Sequence, residues 1–152
     1  RENNDEVGGL LARFTCSLIL PFIQIFSLYV VAHGHHSPGG GFQGGVMLGA
    51  SYILLALVFG LSKAKERFSE RRTMIFAAVG IFIYVGWGVL CLLFGEEFLD
   101  YSALNSILPG DAKMARSYSM LMVEIGVAFT VTAIMFSMYS NLSTRGRLSK
   151  GL

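Results

Sequence analysis

Four stretches of this 152-residue chain, 14–32, 44–62, 74–94 and 119–139, are 19 to 21 residues long and together contain one formally charged side chain, Glu124. A helix rising 1.5 Å per residue needs about 20 residues to cross a hydrocarbon core roughly 30 Å thick. Runs of that length, with no strict alternation of apolar and polar positions, exclude barrel strands and predict an all-α integral membrane protein with four transmembrane helices. Composition agrees, because only 14% of the residues are charged, where a soluble domain carries about 25%. A net charge of +2 is too small for nucleic-acid binding by bulk charge, and two cysteines exclude both a disulfide-dense scaffold and a paired CxxC metal module. The opening RENNDE is more acidic than basic and precedes a long apolar run, which fits a retained first span rather than a cleaved signal peptide.

With four spans, both ends of the chain and the 63–73 loop share one side. That side carries Arg1, Arg13, Lys63, Lys65, Arg67, Arg71, Arg72, Arg145, Arg147 and Lys150, whereas the other carries only Lys113 and Arg116. The excess of basic residues predicts an N-in/C-in topology, with the 33–43 and 95–118 loops facing outward. Loops this short, without internal repeats or low-complexity linkers, predict a single membrane domain over 1–152. Cys16 and Cys91 then fall near opposite membrane faces, too far apart for a disulfide.

The first outward loop, HGHHSPGGGFQGG over residues 33–45, holds all three histidines of the chain. Pro38 and the glycines at 39, 40, 41, 44 and 45 permit a tight backbone whose N–H and C=O groups could line an ion path. Gly41 with Gly45, and Gly45 with Gly49, are small-xxx-small pairs, the pattern that lets membrane helices approach closely. Gly39 to Gly44 matches GxGxxG, but after a membrane helix rather than a strand and with no acidic residue about 20 positions on, so a dinucleotide site is excluded. His33, His35 and His36 fit interfacial solvation of a helix end, or proton or cation transfer; three near-adjacent ligands on a loop supply poor metal geometry, and no metal or other cofactor is expected.

Glu124 lies five residues, about 8 Å, inside the fourth span, in its outward half. An ionisable group at that depth is a functional-site expectation by default, here for a proton or a cation; the alternative is a carboxyl that fixes packing. The His loop emerges on the same side. Of the other polar residues within spans, Thr15, Gln24, Ser51, Thr130 and Thr132, most read as packing contacts, with Thr130 and Gln24 as the candidates for more, and Pro21 as a possible kink in the first span.

The run HGHHSPGGGFQGGV together with Glu124-Ile125-Gly126-Val127 resembles the B-type subunit of the Mrp (Mnh) multisubunit Na+/H+ antiporters and the similar subunit of membrane-bound hydrogenase-type complexes. The resemblance covers nearly the whole chain, and His36-Ser37 occupies positions that vary in that family. It implies a non-catalytic subunit in a bacterial or archaeal cell membrane, working beside other antiporter or hydrogenase-complex subunits and in contact with Na+, H+ and lipid. It also implies that Glu124 and Pro38, Gly39, Gly40, Gly41, Phe42, Gly44 and Gly45 shape or line part of an ion path; the chemistry of the residues adds His33, His35 and Thr130 as candidates for that path and Gly49 for helix packing. The alternatives are a purely structural subunit of the same complex and a membrane enzyme built on the histidines, for which the chain offers no nucleophile–base set.

Overall fold

The computed structural model describes residues 2–34, 39–93 and 112–144, with side chains placed for 8–34, 39–93 and 117–144. These residues form five helices: α1 (Glu2–Ala32), α2 (Gly41–Phe59), α3 (Leu61–Arg67), α4 (Glu70–Leu93) and α5 (Ala112–Ser143). Four contain segments long and apolar enough to cross a membrane: Gly8–Ala32, Gly41–Phe59, Glu70–Leu93 and Ser117–Ser143. The predicted four-span, all-helical architecture is therefore the observed one.

The second span, predicted over 44–62, is displaced by three residues at both ends. Gly60 has φ +92° and ψ 149°, a conformation essentially reserved for glycine, so the helix stops at Phe59 and the chain turns into α3. Hydropathy does not register this break, because Gly60 and Leu61 continue the apolar run across it. Pro21 lies inside α1, which continues through it to Ala32. Cys16 and Cys91 are both free thiols.

The spans are arranged as a row rather than a closed bundle. α1 lies against α2, α2 against α5 and α5 against α4, with a minor contact between α1 and α5. The α1–α2 pair is antiparallel, as Gly44 faces Ser27 and Val31 while Ser51 accepts a hydrogen bond from the Gln24 amide at 3.4 Å. The inner helices α2 and α5 are parallel and approach closely. The glycine stripe 41, 45 and 49 meets Glu124, Ala128 and Thr132, so that four-residue steps on one helix match four-residue steps on the other. A Cβ added at Gly45 would sit 2.9 Å from the Ala128 carbonyl oxygen. α4 packs antiparallel on the other flank of α5, where Gly80 faces Gly126 and Thr130.

At the basic end of the row, α3 folds back over α2. Its Ala64, with Phe68 just beyond it, is buried with Leu20, Leu55, Ala56 and Phe136 in the one large apolar cluster of the described residues. Tyr52 stacks on Phe68 at 4.9 Å between centroids, and Phe136 meets Phe68 edge-on at 5.5 Å. Lys65 and Glu70 bridge α3 and α4 at 2.5 Å, a part-exposed pair worth at most about 1 kcal/mol.

Glycine contact is what seats α2 on α5, so widening it should separate them. Gly45→Val is expected to cost more than about 2 kcal/mol by overpacking, read as loss of the monodisperse size-exclusion peak after mild heating. Gly86→Val, at a position whose added Cβ meets nothing within 4 Å, should leave that peak intact.

Candidate functional site

The parallel register of α2 and α5 carries Glu124 to the point where α1 ends and α2 begins. α1 closes with Ala32; His33 and Gly34 continue as a turn in which the Gly34 N–H reaches the Val31 carbonyl at 3.3 Å. The chain returns at Gly39 and Gly40, where the Gly40 N–H donates to the Val30 carbonyl at 3.3 Å. These bonds hold both ends of the loop against the last turn of α1. Gly40 then enters α2 with φ +131°, again a glycine conformation.

The Glu124 carboxylate is lodged between these loop ends. A Cβ built on Gly34 would fall 2.5 Å from Oε2, 2.6 Å from Oε1 and 2.5 Å from the Gly40 Cα; one on Gly40 would stand 3.7 Å from Oε1. A Cβ on Gly41 would collide with the Glu124 backbone carbonyl, so α5 and the first turn of α2 touch backbone to backbone at this residue. Three glycines thus make the cradle: a side chain at 34 would fill it, one at 40 would strain the backbone, and one at 41 would push α2 off α5. The Glu124 side chain itself is half-buried. It stands at the N-terminal end of α2, where the aligned peptide dipoles favour negative charge by about 0.3–1 kcal/mol, and up to ~2 kcal/mol in partly buried settings.

Of the residues expected at an ion path, the structure brings Glu124 to the loop that contains His33. The His33 ring is exposed and stacks on Tyr29 with centroids 4.1 Å apart. His35 and Pro38, with His36, lie outside the described residues. Gly39 packs on the Val30 carbonyl, Gly44 on Ser27 and Val31, Gly45 on Ala128, and Gly49 on Thr132 and Met135. Phe42 points outward with 64% of its surface exposed, as an apolar face for lipid or a neighbouring chain rather than a lining of the cradle. Thr130 is on a different side of α5 from Glu124: its hydroxyl donates to the Gly126 carbonyl at 3.0 Å and it packs on Gly80 of α4. Gln24 is used in the α1–α2 contact already described. Among the described residues no three His, Cys, Asp or Glu side chains gather as metal ligands.

Two participants do not stand out in the sequence. Gly34 supplies one wall of the cradle, and only the HGHH run hints that a residue without a side chain is wanted there. Thr132 locks the register: its buried hydroxyl donates to the Gly45 carbonyl at 3.1 Å across the helix pair and to its own Ala128 carbonyl at 2.7 Å. Such interhelical bonds are worth about 0.6 kcal/mol on average in membranes, up to ~1.7 kcal/mol.

If the cradle is sterically matched to the carboxylate, Gly34→Ala and Glu124→Ala should be non-additive. The single glycine variant is expected to lower the thermal midpoint of the solubilised protein. The double variant should recover part of that loss, with a coupling of at least ~0.5 kcal/mol.

Residues 11–137 match the family of domains related to the MnhB subunit of Na+/H+ antiporters. The B-type subunit of the Na+/H+ antiporter of Bacillus subtilis (strain 168) is 27% identical over 135 residues, which span 85% of this chain and 94% of that protein. A Staphylococcus aureus (strain Newman) protein named as a putative antiporter subunit, mnhB2, is 27% identical over 138 residues, spanning 90% of this chain and 95% of its own length. With most of its length matched, including all of the glycine cradle and Glu124, this chain belongs to the MnhB-related family of antiporter subunits.

Proposed function

We propose that this chain is the B-type subunit of a multisubunit Na+/H+ antiporter module and that the Glu124 cradle is its ion-handling element. The observation that carries the reading is the seating of an ionisable carboxylate within a membrane span against Gly34 and Gly40, with the Glu124 backbone against Gly41. A carboxylate offers hard oxygen donors of the kind that take a proton or a sodium ion. His33, one residue before the cradle, extends it toward the outward surface with an exposed imidazole. His35 and Pro38 belong to the same loop in sequence, and Thr130 serves α4–α5 packing in this reading. The chain is a non-catalytic, multi-pass subunit of a bacterial or archaeal cell membrane, N-in/C-in, working beside other antiporter subunits either in a stand-alone module or in a hydrogenase-type complex.

A purely structural reading draws on the same contact, since the carboxylate also fills the gap between α1, α2 and α5. Charge separates the two, because Glu124→Gln keeps the shape and removes the ionisable group. Sodium-dependent proton uptake in inverted vesicles, measured at matched levels of assembled complex, should fall at least tenfold in Glu124→Gln and less in Glu124→Asp. Wild-type transport by an assembled Glu124→Gln complex would assign the residue to packing alone.

A further inference from the structure

A second feature lies at the opposite, basic end of the row and takes no part in the cradle. A groove of about 470 Å3 runs between α1, the end of α2 and α3. Its walls are Leu20 and Pro21 of α1 with Leu55 and Phe59 of α2, and its mouth is flanked by Lys63 and Arg67. Those two cations stand four residues apart on α3 and hence on one face of that helix. Lys65, between them in sequence, turns away to pair with Glu70. The break at Gly60 sets α3 across the end of the span, bringing its basic face over an apolar trough.

From this arrangement we infer that the groove binds an anionic glycerophospholipid of the surrounding bilayer, its phosphate at Lys63 and Arg67 and one acyl chain along Leu20, Pro21, Leu55 and Phe59. The occupant must combine a negative head with an apolar tail, because the cations sit at the mouth and the trough continues along α1 from Ser17 to Gln24, about 10 Å at 1.5 Å per residue. An acidic peptide segment meets the first requirement and fails the second, since it would carry peptide N–H and C=O groups into hydrocarbon. Two polar groups lie inside the trough. Pro21 has no N–H to give the Ser17 carbonyl, and the Gln24 amide, one of whose N–H groups reaches Ser51, has a second to offer an ester oxygen. Basic pockets between helices on the cytoplasmic side are suited to anionic headgroups, each cation near the surface strengthening the attraction severalfold.

The test uses the full assembled complex, purified in mild detergent through a tag on this chain and transferred to nanodiscs of equal parts phosphatidylglycerol and phosphatidylcholine. Native mass spectrometry after detergent wash should find phosphatidylglycerol retained over phosphatidylcholine. That preference should fall on the order of tenfold in the Lys63→Gln, Arg67→Gln double variant and stay unchanged in Arg145→Gln, Arg147→Gln, which removes the same charge elsewhere. Ser17→Trp, which fills the trough and keeps both cations, should also abolish retention; this arm remains readable if the charge variant does not accumulate. A photo-crosslinker at position 17 should label lipid. Equal retention of the two lipids, an unaffected Ser17→Trp, or crosslinking to a neighbouring protein subunit in place of lipid would each overturn the inference.

Discussion

Everything in this structure that concerns the carboxylate depends on how closely α2 and α5 approach. Lipid chains are as apolar as leucine, so membrane helices gain little by hiding apolar side chains from them and associate instead through close packing and hydrogen bonds. Gly41, Gly45 and Gly49 provide the packing, and Thr132 provides a bond that holds only when Gly45 lies opposite it. A slip of one helical turn would move Glu124 about 5.4 Å along the axis, out of reach of Gly34 and Gly40. The register of one helix pair thereby fixes the geometry of a site assembled from three helices.

The row arrangement has a second consequence. In a closed four-helix bundle every helix turns an apolar stripe inward, but here α1 and α4 are flanked on one side only, and large apolar residues such as Phe14, Phe22, Ile25, Phe82 and Leu93 stand more than half exposed. Some of that surface suits lipid. The rest leaves α1 and α4 open to neighbouring subunits. The architecture is that of a wall in a larger assembly, in keeping with the multisubunit antiporter family to which the chain belongs.

What the sequence made legible follows from which constraints are strong. The bilayer dictates span length, so four spans could be read from hydropathy alone, and the glycine stripe announced close packing by its four-residue spacing. Glu124 stood out because one charge among so many apolar residues is costly. The pairing of helices was not legible: nothing in the stripe states that it meets α5 rather than α1 or α4, since Gly44, one residue before Gly45, faces α1 instead. The same ambiguity groups Thr130 with Glu124 in sequence, although the six-residue step between them rotates it about 240° around the helix, toward α4. Gly60 escapes a sequence reading because a backbone dihedral leaves no trace in hydropathy.

The magnitudes constrain how Glu124 is accommodated. Placing a carboxylate at the centre of a bilayer costs about 2.5–3.5 kcal/mol on insertion scales, and considerably more on physical estimates for an isolated helix. The N-terminal end of α2 returns at most ~2 kcal/mol, and Glu124 lies off the midpoint of the Ser117–Ser143 span, which lowers the cost without removing it. The balance falls to the groups that close around the carboxylate where α1, α2 and α5 meet. A side chain at 34 would occupy the space at the carboxylate, and one at 41 would force α2 away from α5. The glycines therefore serve two requirements at once, helix contact and room at the carboxylate, and a substitution that satisfied the first by repacking would still violate the second.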